Sequence, residues 1–319
     1  MKYNYSQLSS DSVLQLVNLH YKLSAPISCK YYVLGLHDNY LVESNSEKFI
    51  FRLYRNDWRT EEEIFFELEL LSYLIKKSAN VAYPIATNKS ELSISINSPE
   101  GKRIGVLFHY AKGYAPDGGI SLEECTLLGS SVANIHEKTK NFKIHYTRSN
   151  LDLTYLVDRS LALIKPFLNS KQYVYLQSIQ SKLQSNISQL STENGDFGIC
   201  IGDVNPTNFH IDEEKTITHF DFDQCGYGYR AFELGKFSSS LYGSESKKGK
   251  MRAFIQGYET VRHLTDIEKI SIPYFEIASI IWVMSIHASN ANRIGYKYLE
   301  NSFWVNRISR IEALDVTLA

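Results

Sequence analysis

The spacing of apolar residues changes near residue 110, and this change constrains the fold more than any other feature of the sequence. Before it, short runs rich in β-branched and aromatic residues alternate with turn formers, as at 31–36, 40–44 and 49–55. Such runs predict β-strands. After it, apolar residues recur mainly every three or four positions, which predicts helices. The sequence therefore favours a small β-rich part followed by a larger helical part.

Two helices are predicted within the β-rich part. In the second of them, Thr60 and Glu63 form a capping-box pattern just before an apolar stripe. The predicted order is a helix, three strands, a helix and two strands. In chain order these elements lie at 9–23, 31–36, 40–44, 49–55, 60–77, 92–97 and 103–110.

A Gly/Pro-containing segment, AKGYAPDGG at 111–119, predicts a flexible linker between the two parts. Beyond it, Ser121 and Glu124 form another capping-box pattern, which opens a helix through about His136. We place the two lobes at 1–108 and 109–319. Further helices are predicted at 151–165, 170–192, 231–241, 247–262, 273–289 and 300–314.

Composition and charge exclude several classes of protein. With 319 residues, 44% of them hydrophobic, the chain can bury a substantial core. Its 34 basic and 35 acidic residues give no electrostatic reason to expect nucleic-acid or membrane partners. The longest apolar run, at 277–284, is too short to span a membrane, and the N-terminus lacks an apolar signal core. The four Cys show no CxxC pair, so we expect a cytoplasmic protein with reduced thiols.

The segment IGDVNPTNFHIDEEKTITHFDFDQCGYGYR at 201–230 interrupts the helical part with a concentration of Asp and Asn. Pro206 lacks an N–H, so the residues after Asp203 can form neither a helix nor a central strand. The next residues predict a hairpin that returns Asp221 to the vicinity of Asn208. An amide oxygen and a carboxylate suit Mg²⁺, which usually takes only one or two protein ligands. Asp203 could accept the proton of a hydroxyl nucleophile.

A structural interpretation competes with this chemical one. Asp and Asn are common turn formers, so Asp203 and Asn208 are about equally well explained as turn residues. Asp221 is harder to explain in that way, because it lies between two phenylalanines, where an uncompensated carboxylate is costly. Asp223 suits either a second metal ligand or a cap for the following Gly-Tyr-Gly turn.

Several motifs resemble those of the aminoglycoside phosphotransferase and choline kinase family. GDVNPTN is similar to the family's catalytic loop, HGDxxxxN, and HFDFDQCGYG to its metal-binding segment, commonly IDFDDAGYG. Upstream, FIFRLYR resembles the family's strand that carries the nucleotide-contacting cation. FELELLSYL resembles the helix that bridges the two lobes, and GVLFHYAKG resembles the hinge that binds adenine. The resemblance, which extends to about residue 240, implies a two-lobed α+β protein-kinase-like fold. Its N-lobe would be a small antiparallel sheet that binds nucleotide, and its C-lobe would be mainly helical.

The implied activity is transfer of the γ-phosphoryl group of Mg-ATP to a hydroxyl of a small molecule, such as an amino alcohol, amino acid, sugar or antibiotic. The resemblance implies that Asp203 is the catalytic base. It implies that Asn208, Asp221 and, more weakly, Asp223 are the Mg²⁺ ligands. The nucleotide would be bound by Arg52, its partner Glu67, Phe108, His109 and Tyr110.

The sequence departs from the family pattern in three places. The His that usually lies two residues before the catalytic Asp is Ile201, and Arg52 stands where Lys is usual in protein kinases. Only Gly35 lies near the turn at 37–39, so no Gly-rich loop would cover the phosphates. A nucleotide-binding regulatory module without catalysis is therefore one alternative. A Ser/Thr protein kinase is the other, because the same motifs serve both kinds of kinase.

Acceptor selection is expected to depend on residues 113–120 and about 240–319. The carboxylates of the second segment fall mostly on faces that are predicted to be solvated, which favours a small acceptor over a polycationic aminoglycoside. Other motifs are weaker. GYGYRA at 226–231 fits a dinucleotide-binding fingerprint, but no alternation of strands and helices follows it. GSESKKGK at 243–250 has the wrong spacing for a phosphate-binding Walker loop.

Overall fold

The computed structural model describes residues 3–25, 27–116, 119–192 and 195–318. Asp117 and Gly118 of the predicted linker lie outside the described residues. The chain divides into two compact units. Unit 1 consists of Met1–Gly113, Lys143–Arg148 and Thr218–Phe220. Unit 2 consists of Tyr114–Phe142, Ser149–Ile217 and Asp221–Ala319.

Unit 1 is built on a five-stranded antiparallel sheet with the strand order β1-β2-β3-β5-β4. Its strands are β1 Ile27–Leu34, β2 Asp38–Ser44, β3 Glu47–Leu53, β4 Ile94–Ser98 and β5 Gly101–His109. Its helices are α1 Ser10–His20, before the first strand, and α2 Glu61–Lys76, between β3 and β4. This is the predicted order of elements.

The helices of unit 1 form for reasons that are visible in the sequence. Thr60 caps α2 by accepting from the Glu63 N–H at 3.2 Å, and the Glu63 carboxylate accepts from the Thr60 N–H at 3.0 Å. The predicted capping box is therefore confirmed. α1 buries Val13 and Val17 in one cluster with sheet residues such as Phe51. Each buried valine stabilises the unit by about 1.5–3 kcal/mol.

Unit 2 is mainly helical. Its helices are α3 Leu122–Lys138, α4 Arg159–Ile164, α5 Ser170–Ile187, α6 Ala231–Ser240, α7 Lys247–Glu259, α8 Asp266–Ser289, α9 Ala291–Ile294 and α10 Asn301–Val316. Four short strands lie between them in the chain: β6 Phe197–Cys200, β7 Phe209–Ile211, β8 Ile217–His219 and β9 Gly226–Tyr229. Most of β8 falls in the Thr218–Phe220 segment of unit 1. β6 pairs with β9, and β7 with β8 in the predicted hairpin. Ser121 and Glu124 form the predicted capping box at the start of α3.

Helix α8 differs most from the sequence prediction. It begins at Asp266, capped by a Thr265–Glu268 capping box, and continues through Pro273, where the prediction began it. Among the described residues it is the one helix long and apolar enough, by length and composition, to cross a membrane, although the apolar run at 277–284 within it is shorter than such a span. However, 72% of its most apolar window is buried inside the protein. Its apolar character is therefore that of a core helix.

Helix α6 packs closely against α8 and carries two of the charged residues of the candidate site. A Cβ at Gly235 of α6 would lie 2.6 Å from the Cβ of Phe275 in α8, so only glycine allows this approach. Residues 231–238, eight of the ten in α6, are buried. Charged side chains on this helix therefore point into the protein and need partners there.

Candidate active site

The loop between β6 and β7, residues 201–208, contains Asp203 and Asn208 and is organised by its own side chains. The Asn208 amide donates to the Asp203 carbonyl oxygen at 3.0 Å and to its Oδ2 at 2.8 Å. Asn205 Oδ1 accepts from the Thr207 N–H at 2.9 Å, and the Asn208 N–H donates to the Asn205 carbonyl at 3.1 Å. Asp203 and Asn208 are thus turn residues, and the same turn fixes the orientation of the Asp203 carboxylate.

The second oxygen of Asp203 contacts a lysine that the sequence analysis did not single out. Lys236 Nζ, on α6, lies 2.6 Å from Asp203 Oδ1. The Lys236 side chain is 8% exposed, whereas that of Asp203 is 30% exposed. The signal in the sequence was that Glu233 and Lys236 are charged residues in an otherwise uncharged helix.

Glu233 supports the 201–208 loop through its main chain. Its carboxylate accepts from the Ile201 N–H at 2.7 Å and from the Gly202 N–H at 2.9 Å. Gly202 has φ +89°, and a Cβ there would lie 2.0 Å from the Gln224 carbonyl oxygen, so only glycine fits. The Ile201 side chain itself is buried. The loop is therefore held without a histidine at position 201.

The surroundings of Glu233 are buried and polar. His136 Nε2 lies 3.7 Å from Glu233 Oε2, and His136 Nδ1 is 2.7 Å from the Tyr258 hydroxyl. Burial raises the pKa of Glu233 to about 7, although the hydrogen bonds from Gly202 and Ile201 oppose the shift. Burial also raises the pKa of Tyr258 well above its ordinary value, so this phenol stays protonated.

The predicted metal ligands lie around the β7–β8 hairpin. Asn208 immediately precedes β7, and Asp221 follows the end of β8 by two residues. Asp221 has φ +61°, a left-handed conformation that is uncommon outside glycine and concentrates at functional sites. Asp223 is buried and accepts from the Gln224 amide at 3.0 Å.

This donor set fits magnesium held by few protein ligands. An amide oxygen and a carboxylate are hard oxygen donors, and Mg²⁺ usually takes only one or two of them from protein. In the part of the chain that the structure describes, no group of three or more His, Cys, Asp or Glu could hold a metal. The residues therefore suit an ion that completes its coordination with water and phosphate oxygens.

In unit 1 the structure brings Arg52 and Glu67 together. Arg52 Nη1, on β3, lies 3.2 Å from Glu67 Oε1, on α2, and both side chains are buried. The Tyr54 hydroxyl donates to Glu67 Oε2 at 2.9 Å, and Arg52 Nε donates to Asn39 Oδ1 at 3.4 Å. Opposite charges and two further hydrogen bonds thus hold the guanidinium in one place.

Phe108, His109 and Tyr110 lie at the end of β5. The His109 N–H donates to the Tyr83 carbonyl at 3.0 Å and the Tyr110 N–H to the Lys48 carbonyl at 3.3 Å. An adenine ring held by this segment would therefore depend on other backbone groups, carbonyl oxygens included. The His109 ring packs on Tyr83 with 4.2 Å between the centroids, and burial lowers the pKa of His109.

The β1–β2 turn is anchored by a buried ion pair that the sequence analysis missed. Arg103 Nη2 lies 2.7 Å from Asp38 Oδ2, and neither side chain is exposed. Arg103 Nε also donates to the Tyr54 carbonyl at 2.9 Å, and His37 Nδ1 accepts from the Arg55 N–H at 3.1 Å. These contacts fix the position of a turn that has no Gly-rich sequence.

Comparisons with known proteins show the family and the fold of the chain. A model of the phosphotransferase enzyme family (APH) matches residues 34–269. An uncharacterised protein of Synechocystis sp. is 35% identical over 315 residues, covering 98% of this chain and 87% of its own length. The structure of an amicoumacin kinase has a TM-score of 0.80 at 20% identity and covers 96% of this chain and 94% of its own. That of a microcompartment-associated aminopropanol kinase has a TM-score of 0.79 at 20% identity and covers 94% and 93%. The predicted two-lobed kinase-like α+β fold is confirmed.

Proposed function

The chain belongs to the phosphotransferase enzyme family, and from this premise we propose that it transfers the γ-phosphoryl group of Mg-ATP to a hydroxyl of a small molecule. The observation that carries the proposal is that the Asp203 carboxylate is both fixed and accessible. It is fixed by Asn208 and Lys236, yet 30% of the side chain stays exposed. A fixed and accessible carboxylate is suited to orient a hydroxyl and accept its proton.

In the proposed reaction the acceptor's hydroxyl oxygen forms a bond to the γ-phosphorus. The bond from that phosphorus to the bridging oxygen of ADP breaks, and its electron pair leaves with ADP. The hydroxyl proton passes to the Asp203 carboxylate. Such transfers need positioning and charge stabilisation more than covalent help from the protein, and the 201–208 loop supplies the positioning.

Asn208 and Asp221 are proposed to hold Mg²⁺, with Asp223 the weaker candidate because it is buried and bonded to Gln224. When bound, the ion would neutralise charge on the β- and γ-phosphates. Asn208 serves two roles in this proposal. Its amide nitrogen orients Asp203, which leaves its amide oxygen as the metal ligand.

Arg52, held by Glu67, is proposed to neutralise charge on the α- and β-phosphates. Its planar guanidinium can bond two phosphate oxygens at once, where a lysine offers a single point charge. The backbone of Phe108, His109 and Tyr110 is proposed to meet the adenine.

The proposed acceptor is a small amino alcohol, amino acid or sugar-like compound. Two structural neighbours are named as kinases of aminopropanol and amicoumacin. The charge pairing around α8 supports a small acceptor, because the buried carboxylates of this helix already have cationic partners. Glu276 lies 2.6 Å from Lys247 Nζ, and Glu268 lies 2.8 Å from Arg262 Nη2. Few uncompensated carboxylates are left there for a polycationic aminoglycoside.

A phosphorylation screen tests this proposal. The chain would be incubated with Mg²⁺, ATP labelled at the γ-phosphate, and a panel of amino alcohols, hydroxy amino acids, sugars and aminoglycosides. We expect label on at least one small hydroxyl compound. Label on added protein substrates alone would indicate a protein kinase. Binding of Mg-ATP with no transfer to any compound, protein or water would indicate a regulatory nucleotide-binding module and contradict the proposal.

A further inference from the structure

The Lys236 ammonium contacts the one carboxylate to which the proposed function assigns the proton transfer. Nζ lies 2.6 Å from Asp203 Oδ1, and the Asn208 amide lies 2.8 Å from Oδ2. Each carboxylate oxygen thus has one protein donor. Since a carboxylate offers about four acceptor positions, room remains for an acceptor hydroxyl. A hydroxyl bonded to Asp203 would lie within two hydrogen-bond lengths of the Lys236 charge.

The position of Lys236 is costly for a merely structural residue. It lies in the buried part of α6, and its side chain is only 8% exposed. Burying an ammonium costs several kcal/mol unless it is paired, and replacing a buried ion pair by apolar side chains is often neutral or stabilising. A Met would fill a similar volume without that cost. The charge therefore requires a reason beyond packing.

Glu233 and Lys236 contact different parts of the 201–208 loop. Glu233 accepts from the main chain of Ile201 and Gly202, so it holds the backbone of the loop. Lys236, one turn further along α6, holds the side chain of Asp203. Loss of Lys236 would leave the backbone supported and remove only the contact with Asp203 Oδ1.

We propose that Lys236 is a positioning residue of the transfer step, a role that rests on the proposed function. It restricts Asp203 to one orientation through Oδ1, and it places a positive charge beside the attacked phosphoryl group. When the hydroxyl proton passes to the carboxylate, Lys236 loses its counter-charge. Its field then acts on the phosphoryl oxygens, whose negative charge it stabilises during transfer.

The test compares Lys236→Met and Lys236→Arg with wild type, with Mg-ATP and the acceptor found in the screen, or with water as acceptor if hydrolysis alone is seen. We expect Lys236→Met to lower kcat by about 10²-fold while the KM for ATP changes less than about threefold. Lys236→Arg, which keeps the charge, should recover part of the rate. Lys182→Met is the matched control, because Lys182 pairs with Asp315 on other helices of unit 2, and it should leave kcat unchanged.

A double variant separates positioning from a structural role. If Lys236 acts through Asp203, adding Lys236→Met to Asp203→Asn should change the residual rate by less than about twofold, since coupled residues are not additive. An equal loss in both backgrounds, or a Lys236→Met enzyme as active as Lys182→Met, overturns the proposal. A wild type that neither transfers nor hydrolyses contradicts the proposed function itself, and this inference falls with it.

Discussion

Glu233 binds the main chain of the 201–208 loop at two adjacent N–H groups, those of Ile201 and Gly202. Buried N–H groups that lose their acceptor cost about 1–3 kcal/mol each. The main chain of the loop is therefore held by a carboxylate from α6, and an apolar residue can occupy position 201. The substitution that is unusual for the family is thus compatible with an ordered loop.

Glu233→Gln tests this role. Glutamine offers one acceptor oxygen, and its amide nitrogen would face an N–H, so one of the two bonds is lost. We expect a loss of about 1–3 kcal/mol in the free energy of unfolding at pH 5, measured by urea denaturation, because a protonated Glu233 still has a lone pair on each oxygen. A stability equal to that of wild type would show that the loop does not depend on this carboxylate.

The stabilities of wild type and Glu233→Gln are also expected to depend differently on pH. Burial raises the pKa of Glu233 from 4.5 to about 7, so between these values the folded state holds a proton that the unfolded state has released. Stability must therefore fall as pH rises through this interval. We expect wild type to lose on the order of 3 kcal/mol relative to Glu233→Gln between pH 4.5 and 7. A constant difference between the two proteins across this range would contradict the assignment.

Individual elements were predictable where their signals are local. The capping boxes of α2 and α3 each lie within four residues, and both are present as predicted. The start of α8 was predicted too late, at 273, although the Thr265–Glu268 capping-box pattern was already visible in the sequence. The contacts of α6 with the 201–208 loop could not be predicted, because periodicity shows which face is buried but not which partner it meets.

Gly202 lies where the loop and the segment after β8 approach each other closely. Gly202→Ala would place a Cβ 2.0 Å from the Gln224 carbonyl oxygen at φ +89°. We expect a loss of more than about 2 kcal/mol, because steric overlap and backbone strain add. Gly243→Ala is the control, since Gly243 has φ +74° but no neighbour within 4 Å. It should lose only about 1 kcal/mol from strain. Equal losses in urea denaturation would show that the close approach does not matter.

For the whole molecule, the change of apolar spacing near residue 110 was enough to predict a β-rich part before a helical one. The two-lobed α+β fold and the membership of the phosphotransferase family bear this out. Ion pairs such as the buried Asp38–Arg103 and the half-buried Asp203–Lys236 join residues from separate elements. Composition and periodicity carry no information about such pairs. The assigned site roles, the lobe boundary and the cytoplasmic location stay predictions.

The central claim is that Asp203 serves the transfer step and is not needed to bind the nucleotide. The most direct measurement compares wild type with Asp203→Ala in phosphoryl transfer and, on the same samples, in calorimetric binding of Mg-ATP. We predict that Asp203→Ala lowers kcat by about 10²–10⁴-fold and changes the Kd for Mg-ATP by less than about threefold. Transfer at the wild-type rate by Asp203→Ala would contradict the account.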